Sequence, residues 1–254
     1  ISRDDLQGYL RRVFARDKLA ITVVGDIDAE ALGRALDHVF GALPQRSELA
    51  PVADVKPPLG PAREIIEMNV PQSVAQFGHR AFSRKDDDFM AAYILNYIIG
   101  GGGFSSRLME EVREKRGLAY SVHSNLFPYQ HGAVFVGNVA TQNERVGQSL
   151  EVIESELRRL AEEGPSAEEL AGAKSYLTGA YALRFESSSS IANQLLWIQI
   201  EDLGIDYIDR RNTLIENVSL DDIRRVAKRL IEADRLITTI VGKPVEARPK
   251  AAPG

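Results

Sequence analysis

Arg113 and Tyr120, seven residues apart, are the side chains of this sequence best placed to do chemistry. They lie in GGGGFSSRLMEEVREKRGLAYSV (residues 100–122), where a flexible glycine run leads into a short amphipathic helix pattern. The pattern turns at Gly117 and becomes the alternation of a strand. Arg113 then falls near a helix end and Tyr120 at a strand start. Brought together at such a junction, a guanidinium and a phenol can donate hydrogen bonds to one carbonyl oxygen. The same spacing also fits a helix C-terminal cation and an ordinary sheet residue.

Other chemistries find little support. The four histidines are His38, His79, His123 and His131, and none forms an i,i+4 pair or an H-x-x-E-H or H-E-x-x-H motif. His123 and His131 are expected to face each other across a hairpin, as part of a polar sheet face without a third ligand. Glu110-Glu111 and Glu168-Glu169 read as surface charge in first helical turns or on solvated faces. No nucleophile elbow is visible. The glycines at 100–103 follow a helix pattern rather than a strand, which argues against a dinucleotide loop.

Periodicity supplies the elements that must position these residues. Helices are expected at 3–16, 29–41, 87–99, 105–115, 143–162, 166–184, 187–202, 206–216 and 219–232. Ser166-x-x-Glu169 is a capping-box signature, and the serines at 187–190 offer another cap. Strands are expected at 19–25, 63–69, 73–81 and 236–242, with a hairpin from 118–127 and 133–140. Strand pairs and helix runs are segregated. The fold class expected is α+β: two layers, an antiparallel or mixed sheet covered by helices.

The chain repeats itself. Residues 1–25 align without a gap on 218–242 with nine identities, among them Ser2/Ser219, Asp5/Asp222, Arg12/Arg229, Asp17/Asp234 and Gly25/Gly242. Both copies read as a capped helix followed by a β-rich run that ends at glycine. With an offset of 217 residues, residues 1–44 read as the C-terminal remnant of a preceding homologous domain. Residues 45–60, with Pro51, Pro57 and Pro58, read as a linker, 61–243 as the main domain and 244–254 as a disordered tail.

Composition bounds the partners. With 31 basic and 36 acidic residues the net charge is −5 and there is no basic tract, which argues against nucleic acid. No apolar run approaches the ~20 residues of a membrane span. The absence of cysteine excludes disulfides and thiol chemistry and fits cytoplasm and periplasm alike.

The run at 100–122, with VVGDID (23–28), GPSAEELAGAKSYL (164–177) and the helix-to-VVG and helix-to-IVG endings, resembles the pitrilysin/insulinase superfamily of zinc metallopeptidases, which includes mitochondrial processing peptidase. The resemblance covers nearly the whole chain. It implies one of two similar halves that close around an extended peptide. In such proteins one half holds zinc through H-x-x-E-H, and the other supplies an Arg and a Tyr, seven residues apart, near the scissile bond. Arg113 and Tyr120 match that pair, and the zinc ligands have no counterpart here. The implied chain is a substrate-binding, non-catalytic half, inactive alone, with no cofactor of its own. Zinc is expected in a partner half, on the same polypeptide or on a separate subunit. Gly100, Gly101, Gly102, Gly103 and Phe104 correspond in position to the glycine-rich substrate loop of the processing peptidase's non-catalytic subunit, in shorter form. Bacterial relatives suggest a periplasmic location by analogy. The alternative is a non-enzymatic scaffold, as in the core subunits of the respiratory bc1 complex.

Overall fold

The computed structural model describes residues 1–55 and 60–244 of the 254. Pro57, Pro58 and the expected tail from residue 245 lie outside the described residues. In chain order the elements begin with α1 (Arg3–Val13), α2 (Ala29–Phe40), β1 (Ala62–Glu67), β2 (Gln72–Arg80) and α3 (Phe89–Asn96). They continue with β3 (Ala119–Tyr129), β4 (Gly132–Gln142), α4 (Val146–Glu163) and α5 (Ala167–Gly179). They end with α6 (Ser188–Ile200), α7 (Tyr207–Glu216), α8 (Leu220–Leu230) and β5 (Ile237–Gly242). Two compact units form. One comprises Ile1–Ala53 with Ala180–Asp209, the other Asp54–Gly179 with the chain from Arg210 onward.

The larger unit is the expected α+β fold. Its five strands run in the order β1-β5-β2-β4-β3, with β1 and β5 parallel and every other pair antiparallel. Alternation along β2 buries Ser73, Ala75, Phe77 and His79 on one face. Helices cover that face, and the core joins Phe77 and Phe135 to Ile94, Leu95, Leu150, Ile153 and Ile223. Helix α8 shows why the pattern works. Its Ile223, Val226, Ala227 and Leu230 are spaced to share one helical stripe, and all are buried. Full burial of a side chain such as Ile223 stabilises by at most ~1.5–3 kcal/mol.

The internal repeat is visible in the caps. Ser2 and Asp5 form a capping box at the start of α1, and Ser219 and Asp222 form the same box at the start of α8. After the cap the copies diverge. The α1 positions that match the buried stripe of α8 are Leu6, Tyr9, Leu10 and Val13, yet α1 buries no residue. Leu6, Tyr9 and Leu10 are 57%, 53% and 51% exposed.

Several local expectations need correction. Residues 19–25 carry no strand ladder. Their counterpart β5 is bonded on both sides, by β1 and β2, whereas a strand without neighbours has no partners for its backbone groups. Thr22 instead donates its hydroxyl to the Ala192 carbonyl at 2.8 Å. Helix α1 stops at Val13, and α5 stops at Gly179, before a separate 3₁₀ turn at Ala182–Phe185. The expected linker is tied at both ends of its described part. Glu48 N–H donates to the Arg12 carbonyl at 2.9 Å, and Val55 N–H donates to the His131 carbonyl at 2.6 Å.

Candidate functional site

The glycine run is structured. Tyr97–Gly101 form a π-helical turn that continues α3, and Gly103–Ser105 a 3₁₀ turn. Gly100 is buried against β3, where a β-carbon would lie 2.5 Å from the Ser124 nitrogen and 2.6 Å from its hydroxyl. Gly100 thus anchors the run to the sheet, Gly103 stays exposed with nothing within 4 Å of where its β-carbon would lie, and Phe104 reaches the surface with 68% of its area exposed.

Arg113 and Tyr120 both sit where regular backbone breaks. Met109–Glu114 is a π-helical turn, and the Lys115 N–H reaches back five residues to the Glu110 carbonyl at 2.9 Å. Such widened turns recur at functional sites. Gly117, at a φ of 58°, reverses the chain, with its N–H on the Arg113 carbonyl at 2.8 Å. Strand β3 then pairs Ala119 with Thr141 and Ser121 with Ala140, leaving Tyr120 opposite no residue. The bulge re-aims the phenol outward, 76% exposed.

These irregularities bring the pair together. The Arg113 guanidinium carbon lies 5.1 Å from the Tyr120 ring centre and 4.7 Å from that of Phe104. Its Nε stands 3.4 Å from the Glu114 carboxylate. A cavity of about 400 Å³ opens beside them. Arg113, Glu114 and Tyr120 line it together with Gln72, Gln142 and Arg145, over a floor of Ala119, Ala140 and Thr141. Arg145 donates from Nη1 to the Gly117 carbonyl at 2.8 Å. The wall sets hydrogen-bond donors and acceptors beside a solvent-open groove, suited to polar groups of an extended chain. Phe104 as a ring partner of Arg113, and Gln72, Gln142 and Arg145 as wall, escape the one-dimensional pattern. Only the β3–β4 register sets residues 142–145 beside Gly117.

The remaining candidates are dispersed. His38 is exposed on α2, and His123 pairs across the sheet with Asn138, not with His131. The hairpin turns through Gln130 and His131 themselves, because Tyr129 already faces Gly132. His131 lies 3.3 Å from Asp54. His79 is buried, stacked on Phe135 at 4.9 Å, and its Nδ1–H donates to the Arg80 carbonyl at 2.6 Å. Burial holds its pKa below the ordinary histidine value. Among the described residues no group of three or more His, Cys, Asp or Glu side chains could hold a metal ion.

Of the acids expected as surface charge, Glu111 is buried and Glu169 is partly covered. Glu111 pairs with Lys115 and Arg116. Glu169 closes the capping box with Ser166 and also takes both oxygens to Arg107, fastening the segment after the glycine run to α5. Asp88, before α3, is gripped by Arg225 and Arg229 of α8. The hydrogen bonds from Arg225 hold its carboxyl down at about 2.

Known proteins resemble this chain throughout. A family described as the peptidase M16 inactive domain matches residues 1–177. An uncharacterized zinc protease of Streptomyces coelicolor is 30% identical over 237 residues, 90% of this chain and 51% of that protein. A protein of Helicobacter pylori named a non-peptidase homolog is 28% identical over 249 residues, 95% of this chain and 56% of that one. The chain thus spans about half the length of these relatives. A crystal structure of a peptidase M16 inactive domain from Pseudomonas fluorescens matches 98% of the chain and 60% of its own, with a TM-score of 0.87 at 27% identity.

Proposed function

Because this chain belongs to the peptidase M16 inactive-domain family, and so is a non-catalytic domain of zinc-protease-like proteins, we propose that it is the substrate-binding half of a zinc endopeptidase. In this reading Arg113 and Tyr120 donate hydrogen bonds to a peptide carbonyl near the scissile bond. The observation that carries it is their convergence. A π-turn and a β-bulge bring guanidinium and phenol to 5.1 Å on the wall of one open cavity. Donors fixed before the reaction stabilise charge that develops on oxygen. Among the described residues no cluster of side chains could hold a metal ion, and in this reading zinc and its water are supplied by a partner half, on the same polypeptide or on a second subunit. The test is cleavage by the assembled pair of halves with Tyr120→Phe. A parental kcat in that variant would remove the proposed role.

The exposed α1 stripe supports a domain reading beside this one. Residues 1–44 correspond to the closing helix and strand of a second unit of the same repeat, whose sheet would cover Leu6, Tyr9 and Leu10 as this chain's sheet and helices cover Ile223, Val226 and Ala227.

A second reading, a scaffold without peptide handling, is favoured by the Helicobacter pylori relative's name. It predicts that Arg113 and Tyr120 variants change nothing in proteolysis.

A further inference from the structure

The cavity beside Arg113 and Tyr120 holds two guanidinium groups and one carboxylate. Glu114 is 3.4 Å from Arg113 and answers that charge. Arg145 has its Nη1 on the Gly117 carbonyl, and among the described residues no carboxylate lies within ion-pair distance of it. Arg145 lines the groove and carries further N–H donors beyond the one used on Gly117. Nothing in the helix that follows calls for a cation there. Arg145 is the N-cap residue of α4, makes no capping bond with its side chain, and stands at the end where the helix dipole favours negative charge. An arginine is a poor choice for helix stability at this position, while its planar fork suits a carboxylate.

We propose that Arg145 is a specificity-determining residue that binds a carboxylate of the peptide while Arg113 and Tyr120 hold a backbone carbonyl. This rests on the substrate-binding reading above and names its substrate class: extended peptides carrying an acidic group on one side of the held carbonyl. The placement follows from the turn. Gly117 bonds through its N–H to the Arg113 carbonyl and through its own carbonyl to Arg145, both at 2.8 Å, so the two arginines flank one reversal of the chain. Gln72 and Gln142 lie on the same wall and add neutral donors and acceptors. The carboxylate is an Asp or Glu side chain or the terminal carboxylate of the peptide, and these share one chemistry.

The test is fluorescence anisotropy of the whole chain with labelled neutral peptides, amidated at the C-terminus, in which one Glu is moved along the sequence. Each is compared with its Gln counterpart. One position should bind about five-fold tighter with Glu than with Gln, as for a rim ion pair. A matching gain from a free C-terminus on the neutral peptide would identify the terminal carboxylate instead. Arg145→Gln should erase the Glu-over-Gln difference, with Arg145→Lys restoring part of it. Absence of discrimination at every position overturns the proposal. So does an equal loss for Glu and Gln peptides in Arg145→Gln, which would mean that Arg145 only braces the Gly117 turn. Arg113→Ala reports separately. If it leaves every peptide's affinity unchanged while the Glu preference persists, the hold of Arg113 on the carbonyl fails and the role of Arg145 stands.

Discussion

Tyr120 lies over the Arg113 guanidinium at 5.1 Å, yet neither residue is needed to fill the core. Tyr120 is 76% exposed and faces no partner on β4. In the proposed reading, removal of a pair held this closely at the surface by two backbone irregularities should be felt in chemistry before stability.

Tyr120→Phe should lower the kcat of the assembled peptidase about 10²-fold, roughly 3 kcal/mol, with a smaller change in KM. The melting temperature of the chain should stay within error, since the hydroxyl is solvated. Steady-state kinetics with a scanning-calorimetry control decide this. An early-melting variant that still cuts at the parental rate would support the scaffold.

Arg113→Ala should weaken peptide binding as well as turnover, because it removes a charge-assisted donor. Phe104→Ala should give a milder version, raising KM by about two- to five-fold, as loss of a surface cation–π contact frees the guanidinium. Titration of both variants with one peptide would show the order. A Phe104 variant worse than Arg113→Ala would mean that the ring itself contacts substrate.

The two copies of the repeat should differ in how much a change on the apolar stripe costs. Leu10→Glu alters an exposed position of α1 and should cost under ~0.5 kcal/mol. Leu230→Ala empties a buried position of α8 and should cost ~2–4 kcal/mol. Urea unfolding followed at 222 nm measures both. If the Leu10 variant unfolds as early as the Leu230 variant, the α1 stripe is covered in solution. Leu10→Glu should also reduce any self-association seen by light scattering.

Acid should weaken the fold in two windows. His79 is held below its ordinary pKa by burial, so the unfolded chain binds its proton first. Its contribution is whole above about pH 6.5 and declines as pH falls from there toward the lower folded value. Asp88, held at about 2 by Arg225 and Arg229, contributes fully above about pH 4 and is lost as pH falls toward 2. After screening of its half-exposed partners that second loss should be ~1–2 kcal/mol. Urea midpoints from pH 8 to pH 3 should show both slopes, and His79→Leu should flatten the first only. An unchanged slope in that variant would assign the upper window to another group.

What the sequence determined by itself is what depends on near neighbours along the chain. The capping boxes at Ser2, Ser166 and Ser219 and the cap at Ser187 stand where they were read, because a side chain satisfying an N–H within three residues needs no tertiary partner. The hairpin of β3 and β4 and the amphipathic α4 follow for the same reason, from period and turn. The match of Arg113 and Tyr120 to a known spacing was legible too. Their approach to each other was not, since it depends on a π-turn and a bulge that packing and register impose.

Tertiary structure decided everything that needs a partner from far along the chain. VSLDDIRRVAKRLIEADRLITTIVG and ISRDDLQGYLRRVFARDKLAITVVG carry the same local instructions, yet only the first ends in a strand. The reason is the ladder. Ile237–Gly242 lies between β1 and β2, and residues 19–25 have no described strand beside them. Extended backbone becomes a strand only when the N–H and C=O groups of a neighbouring strand meet its own. In the same way a helix stripe becomes core only when a sheet is there to receive it.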